Sequence, residues 1–330
     1  MVAEFVSSYG LFLLELVTVA VVIVMAVLVL ISAARKSQDQ DGLNIEHINE
    51  QIEQRGDTLR RALLGRRDAR RAQRERGRQR KRERRQRKRQ DEPQRRRVFV
   101  LEFKGDIRAS ATASLREEIS AVIDVAESND EVLLRLENAG GTVHEHGLAA
   151  SQLLRLRARG VRLTIAVDKV AASGGYLMAC TADRIIAAPY AIIGSIGVLL
   201  QLPNFHRLLS DKGVDFEQIT AGRYKRTLTV FGENTDEGRE KMKEELKDVH
   251  ELFQRQIHEL RPEVDLERVA TGEHWYGTQA LELNLIDEIG TSDDYLLAAA
   301  ETADLYRLRH RRQRKWLERM LHGAEGMLYR

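Results

Sequence analysis

Cysteine is nearly absent from these 330 residues: Cys180 stands alone, which excludes an intramolecular disulfide, a paired-cysteine redox motif and a cysteine-rich zinc site. No lysine or arginine occurs before residue 35, and no ionisable side chain occurs from Leu16 to Ala34. The lack of a basic leader argues against a cleaved signal peptide. As a helix, the uncharged run spans roughly 28 Å at ~1.5 Å per residue, close to the ~30 Å hydrocarbon core of a bilayer. Residues 1–34 are therefore expected to be a retained transmembrane anchor, with Glu15, the one charge between Tyr9 and Ala34, at its interface. Arg35 and Lys36 follow the span, so the positive-inside rule favours a cytoplasmic C-terminal side by a margin of two residues.

The net charge of +3 conceals a segregation, because residues 55–97 hold 21 Lys+Arg against 6 Asp+Glu. Residues 66–97 have no apolar side chain larger than alanine or proline and cannot pack a core. Residues 35–97 thus read as a charged, strongly basic linker, a solvated helix or a disordered stalk. It can serve as a spacer or meet anionic lipid headgroups. Nucleic acid is not an expected partner: no aromatic is interleaved for base stacking, so any contact would be to phosphate.

From Val98 to the end the pattern changes to an alternating α/β domain, and no internal repeat divides it. Strand-like runs at 98–104, 131–137, 161–168 and 183–188 are separated by helical stretches at 112–128, 146–159 and 174–182. Such alternation implies parallel pairing and crossover units. Further on, 203–212 reads as a short helix and 214–220 as a strand. A long charged helix starts near Asn234, with Asn234 as its cap and Glu237 three residues on, and runs to about Arg261 before Pro262.

The chemistry sits in glycine-flanked turns. Ser173 lies between an apolar strand and a helix in Ala171-Ala172-Ser173-Gly174-Gly175, where small neighbours let a substrate backbone approach and free N–H groups face an oxyanion. Alone, a serine before glycines is commonly just a turn or a cap. A second turn, Asn138-Ala139-Gly140-Gly141, follows the preceding strand, and parallel pairing brings both turns to one edge of the sheet. One N–H from Gly141 and one from Gly174 could then converge on a single carbonyl oxygen. The third element, Thr220-Ala221-Gly222-Arg223-Tyr224-Lys225-Arg226, reads as the end of another strand. His144 and His146 flank a glycine turn without an evident carboxylate to orient them, and His144-Glu145-His146 lacks a third ligand at metal-site spacing.

Four ordered motifs, VDKVAASGGYLMAC, GSIGV, AGRYKRTLT and ATGEHWYGTQALELNLIDEIG, together resemble the S49 family of membrane-bound serine peptidases, relatives of the signal peptide peptidases. The resemblance covers essentially all of 98–300 together with the N-terminal span. It implies a ClpP/crotonase-like α/β domain with repeated β-β-α units, preceded by a single transmembrane helix, and gives 98–330 as the peptidase domain with a C-terminal helical tail. Carried over by position, Ser173 is the nucleophile, Lys225 the general base and Ser195 the hydroxyl that helps orient the lysine amine. Gly141 and Gly174 supply the oxyanion hole. One departure is plain: the family turn commonly reads Ser-Pro-Gly-Gly, and here Asn138-Ala139 precede the glycines, so the turn is less preorganised. The stretch from Gly174 to Phe205 holds no histidine, which disfavours a Ser/His/Asp triad.

A Ser/Lys dyad needs no metal and no cofactor. The lysine must be an uncharged amine when it takes the serine proton. The resemblance further implies a single-pass protein of the bacterial inner membrane, assembled as a homo-oligomer with active sites between protomers and facing membrane lipid. Its expected activity is endopeptidase cleavage of peptides, signal-peptide remnants or unfolded proteins. A family relationship to signal peptide peptidases leans towards an extracytoplasmic active site, against the charge pattern. Two other functions fit the same fold: a noncatalytic membrane scaffold, and a crotonase-type acyl-thioester enzyme that uses the oxyanion hole without a nucleophilic serine.

Overall fold

The computed structural model describes residues 42–64 and 95–311, with isolated positions at 16–24 and 77–78. Residues 44–309 form one compact unit; 1–43 and 310–330 group as a second and fall mostly outside the described residues. The expected anchor lies almost wholly outside the described residues, and among those described no helix is long and apolar enough to cross a membrane. The C-terminal tail beyond residue 311 is likewise outside them.

The first strand described is β1 (Gly42–His47), followed by a helix α1 over 48–64. Then come β2 (Arg97–Lys104), α2 (Thr112–Val125), β3 (Glu131–Glu137), α3 (Val143–Ala158), β4 (Arg162–Val167), β5 (Val170–Ala172) and α4 (Gly174–Ala179). The second half runs β6 (Arg184–Ala187), β7 (Ile192–Gly194), α5 (His206–Asp211), α6 (Asp236–Leu260), α7 (Leu266–Val269) and β8 (His274–Tyr276). It ends with α8 (Gly277–Glu282), β9 (Glu288–Ile289), α9 (Ser292–Thr302) and β10 (Asp304–Arg311).

Seven strands make one sheet in the order β1-β10-β2-β3-β4-β6-β9, and β5-β7-β8 make a second. The pairs from β10 through β9 are all parallel, as the alternation of strand and helix requires. β3 reads Glu-Val-Leu-Leu-Arg-Leu-Glu and is buried along nearly its whole length, the pattern of a parallel strand covered on both faces. The expected β-β-α repeat is visible: β4 and β6 join the large sheet, and the short β5 and β7 that follow them join the small one. After β3 the corresponding short strand is reduced to one residue, Asn138, bridged to Ala171.

Three readings change. Residues 42–64, placed in the linker by composition, supply β1 and α1, because Ile48 and Ile52 reach the core of Val98, Val100, Leu133 and Leu305. Asn49 fixes α1 there, donating to the carbonyls of Ala300 and Ala303 and accepting from Leu305 N–H. Residues 214–220 form no strand; they are exposed and have no neighbouring strand to pair with, and an unpaired β run has no ladder to hold it. The cap of α6 is Thr235, whose hydroxyl accepts from Gly238 N–H at 3.1 Å. Asn234 is occupied instead in a two-way bond with the backbone of Thr229.

Polar side chains at the strand ends are buried and paired. Asp130 accepts from Arg97 and from the N–H groups of Arg97 and Glu127. Burial pushes this carboxyl up, but the Arg97 hydrogen bonds and the two backbone donors outweigh it and hold the group below its ordinary value. A carboxylate depressed in the folded state stabilises the fold above its unfolded pKa of about 3.9 and loses that contribution as pH falls through the folded value. Asp130→Asn is expected to cost about 3 kcal/mol at pH 7, since it removes the buried carboxylate from Arg97 and leaves that guanidinium only the exposed Glu127. It should also lose less Tm than the parent between pH 5 and pH 3, which circular-dichroism melts at both pH values measure.

Candidate active site

Ser173 sits between β5 and α4 at φ 52° and ψ −119°, a conformation that L side chains rarely adopt. The surroundings hold it there from both sides. Its N–H donates to Gly194 O at 2.8 Å, and its carbonyl accepts from Leu177 N–H at 2.9 Å. Strain of this kind is sustained only when neighbouring bonds over-determine the residue.

The turn after β3 is stitched to the same place. Asn138 donates its N–H to Val170 O at 2.9 Å and accepts Ala172 N–H at 3.0 Å, which lays the turn along β5. Gly140 has φ +92°, and a Cβ there would lie 2.8 Å from Ser173 Cβ and 2.9 Å from Gly174 N. A Cβ on Gly141 would lie 2.2 Å from Ile107 O. On the other side of the contact, a Cβ on Gly174 would meet His146 Cγ at 2.5 Å, and one on Gly175 would meet Asn138 O at 2.1 Å. Gly140, Gly141 and Gly175 are thus required by the close approach of backbone, and Gly174 by the approach of the His146 ring.

That approach decides which N–H groups remain free. Gly140 N–H donates to Asn138 Oδ1 at 2.9 Å and Thr142 N–H to Ile107 O at 2.9 Å. Gly174 opens α4 and has no acceptor one turn back. Among the described residues neither Gly141 N–H nor Gly174 N–H has an acceptor. Gly174 N–H thus follows the strained serine directly, and Gly141 N–H lies one residue beyond Gly140, which packs against that serine.

Ser195 occupies the matching position one strand over. The β5–β7 register pairs Ala172 with Gly194, so Ser173 and Ser195 are the next residues on adjacent parallel strands. Ser195 too has positive φ, 49°, and its N–H donates to Glu273 O at 2.7 Å. Trp275 covers Gly194 closely enough that a Cβ there would lie 2.8 Å from Cε3.

Lys225 is not brought to this cluster within the chain. It is exposed, its N–H closes a turn on Gly222 O at 3.1 Å, and no hydrogen bond joins it to Ser173 or Ser195. Its neighbour Arg223 pairs with Glu237 at 2.7 Å and lies over the Tyr224 ring. The structure thus sets Ser173 and Ser195 after paired strands, packs Gly140 against Ser173 and Gly174, and leaves Lys225 on an exposed segment.

No histidine is hydrogen-bonded to Ser173 among the described residues. His144 is exposed, and His146 is fully buried with its ring against Gly174. Cys180, the residue directly after α4, is fully buried, and burial pushes its thiol up to about 12, so it offers no thiolate at neutral pH. Among the described residues no three metal-ligating side chains cluster. Sequence reasoning gave no role to Asn138 and left His146 as a structural residue or weak metal candidate. The usable signal was the spacing Asn138 to His146, one glycine turn plus one helical turn, which folds the imidazole back over the amide.

Comparison with known proteins shows the family of the chain. The N-terminal model of peptidase family S49 matches residues 4–153, and the family's main model matches 155–306. A probable protease SohB of Haemophilus influenzae is 45% identical over 333 residues, covering 98% of this chain and 94% of that one. Another, from Buchnera aphidicola of Acyrthosiphon pisum, is 56% identical over 225 residues, or 68% of this chain and 67% of that one. Among solved structures, a membrane-bound stomatin-specific protease in complex with a substrate peptide covers 69% of this chain and 97% of its own, with 13% identity and a TM-score of 0.44, too loose a match to transfer residue roles. The two family models, end to end along the chain, and a near full-length relative at 45% identity place this protein in peptidase family S49.

Proposed function

We propose that this S49 peptidase is a membrane-anchored serine endopeptidase working through Ser173 and Lys225. The observation that carries the reading is the strained Ser173 backbone, packed against Gly140 and followed by Gly174, whose N–H has no acceptor among the described residues. In this mechanism Ser173 Oγ attacks the scissile carbonyl as Lys225, acting as the free amine, takes its proton. The carbonyl oxygen becomes an oxyanion held by Gly141 N–H and Gly174 N–H. The protonated lysine returns its proton to the leaving amine, and water then attacks the acyl-serine along the reverse path. Ser195 keeps the lysine amine directed at Ser173. An open glycine turn suits an extended peptide backbone, hence peptides, signal-peptide remnants and unfolded proteins as the substrate class.

A lysine in solvent is a poor base, so the dyad calls for a second surface over Lys225. The stretch around it exposes Leu199, Leu200, Phe205, Leu208 and Ile219, and α5 buries none of its residues. A second copy of the chain is the proposed cover: it would bury these apolar side chains and bring a lysine to a neighbour's serine. Support for the anchor is the 19-residue uncharged run from Leu16 to Ala34, which matches a single span of the bacterial inner membrane.

Ser173→Ala and Lys225→Ala are each expected to lower hydrolysis of an unfolded protein by about a thousandfold or more while the melting curve stays near that of the parent, since the pair acts as a unit. Lys225→Arg should fail equally, because a guanidinium stays protonated. Activity retained in either alanine variant would sink the dyad.

Mixing tests where the dyad is completed. Co-assembled Ser173→Ala and Lys225→Ala subunits should regain part of the parent rate, because some interfaces carry both intact residues. Mixed oligomers as inactive as the single variants would place the dyad within one chain.

A further inference from the structure

We infer that His146 is a positioning residue: its imidazole locks the Asn138–Thr142 turn against the start of α4, so that Gly141 N–H and Gly174 N–H are held ready for one oxygen. This rests on the reading of Ser173 as nucleophile with those two donors as its oxyanion hole. It adds a side chain that the dyad does not contain.

The contacts of the ring are specific. His146 lies one turn into α3 and has no exposed surface. Nδ1 is 3.0 Å from Thr142 O, and Nε2 is 3.2 Å from Asn138 Oδ1. The ring therefore spans the glycine turn from its first residue to its last. Asn138 Oδ1 is shared, since it also accepts Gly140 N–H at 2.9 Å, and Asn138 Nδ2 donates to Met178 Sδ at 3.3 Å within α4. One amide thus connects the turn, the imidazole and the helix that follows the serine.

The other side of the ring faces the serine turn. Because an added Cβ on Gly174 would lie 2.5 Å from His146 Cγ and 2.7 Å from Cδ2, the imidazole is in direct contact with the residue whose N–H is one of the two donors. If the ring is lost, Gly174 gains room to move and Asn138 Oδ1 loses a partner. The Gly140 N–H bond that sorts occupied from free donors is then no longer fixed from behind. Both nitrogens face oxygens that belong to the same turn, so a neutral ring donates to one of them and stays in polar contact with the other, whichever tautomer it holds.

The test uses the full-length chain in detergent, with fluorescently labelled unfolded casein as substrate and a fluorophosphonate probe for the nucleophilic serine. His146→Phe keeps the ring shape without its nitrogens. It is expected to lower kcat by about ten- to a hundredfold, less than outright loss of an oxyanion donor, with KM within about twofold and probe labelling of Ser173 slowed in parallel. His146→Gln, which can still reach Asn138, should recover part of the loss. Asn138→Leu should resemble His146→Phe, and the double variant should lose no more than the worse single one, because both act through one contact. If His146→Phe does not fold, the His146→Gln and Asn138→Leu pair carries the same cycle. An active parent whose variants keep kcat and labelling within about twofold, or whose losses multiply, overturns the positioning role alone. A folded parent that neither hydrolyses casein nor labels at Ser173 overturns the serine-peptidase reading, and this inference with it.

Discussion

The proposed active site depends on one steric constraint, the contact of two backbones. The turn from Asn138 to Thr142 and the start of α4 lie so close that Gly140 and Gly175 have no room for a Cβ, while the His146 ring from α3 fills the space beside Gly174. A close approach of this kind is costly to arrange, since glycine loses more conformational freedom on folding than any other residue. It is held by bonds that run across it: Asn138 to Val170 and Ala172 on one side, Ser173 to Gly194 on the other. Those bonds leave Ser173 with no alternative to its positive φ, and they use up the neighbouring N–H groups selectively. The proposed oxyanion donors are what remains after the turn has satisfied itself.

The sheets explain why the contact falls where it does. β3, β4 and β6 pair in parallel, so their C-terminal ends share one edge, and the short strands β5 and β7 turn away from it into a second sheet. Ser173 and Ser195 follow equivalent positions of that second sheet. Buried polar pairing fixes the same edge from below. Asp168, at the end of β4, accepts Ser292 N–H and Ser292 Oγ, tying α9 to the strand that leads into the serine turn. At the opposite end of β3, the buried Glu131 is satisfied by Thr164, Tyr295 and Arg96 together. A charge with three donors in place carries little unpaired desolvation cost and anchors two elements at once.

Much of this architecture was legible in the sequence, because the signals were local and mutually consistent. The strands at 98–104 and 131–137 were written as apolar runs, and parallel pairing followed from the helices between them. The serine and glycine turns were legible as punctuation, Asn138-Ala139-Gly140-Gly141 and Ser173-Gly174-Gly175, each just after a strand. The proximity of Gly140 to Gly174 was not, since it depends on a register between β3 and β5 that is set by a single bridged residue. Residues 42–64 were assigned to the linker because charge dominated the window, although Ile48 and Ile52 lie at helical spacing and reach the core. Residues 214–220 had the composition of a strand, but a strand is defined by its partner, and none lies beside it. His146 was weighed by its sequence neighbours, His144 and Glu145, whereas its physical neighbours are Asn138, Thr142 and Gly174.

The two halves of the proposed dyad differ in kind. Ser173 has its own N–H and carbonyl committed, to Gly194 O and Leu177 N–H, and its geometry is fixed before any substrate arrives. Lys225 lies on a segment that contributes almost nothing to the core and exposes apolar side chains around it. An oxyanion site must be preorganised, because donors that reorganise during the reaction give back much of their electrostatic advantage. A lysine base has the opposite requirement: it must lose its charge when it acts, which calls for removal from water at that stage and not before. Placing the first on rigid parallel strands and the second on a segment that another copy can cover meets both requirements in one chain. In the proposed assembly, burial of the apolar segment and shielding of the lysine are a single event, so hydrolysis is confined to chains that have found a neighbour.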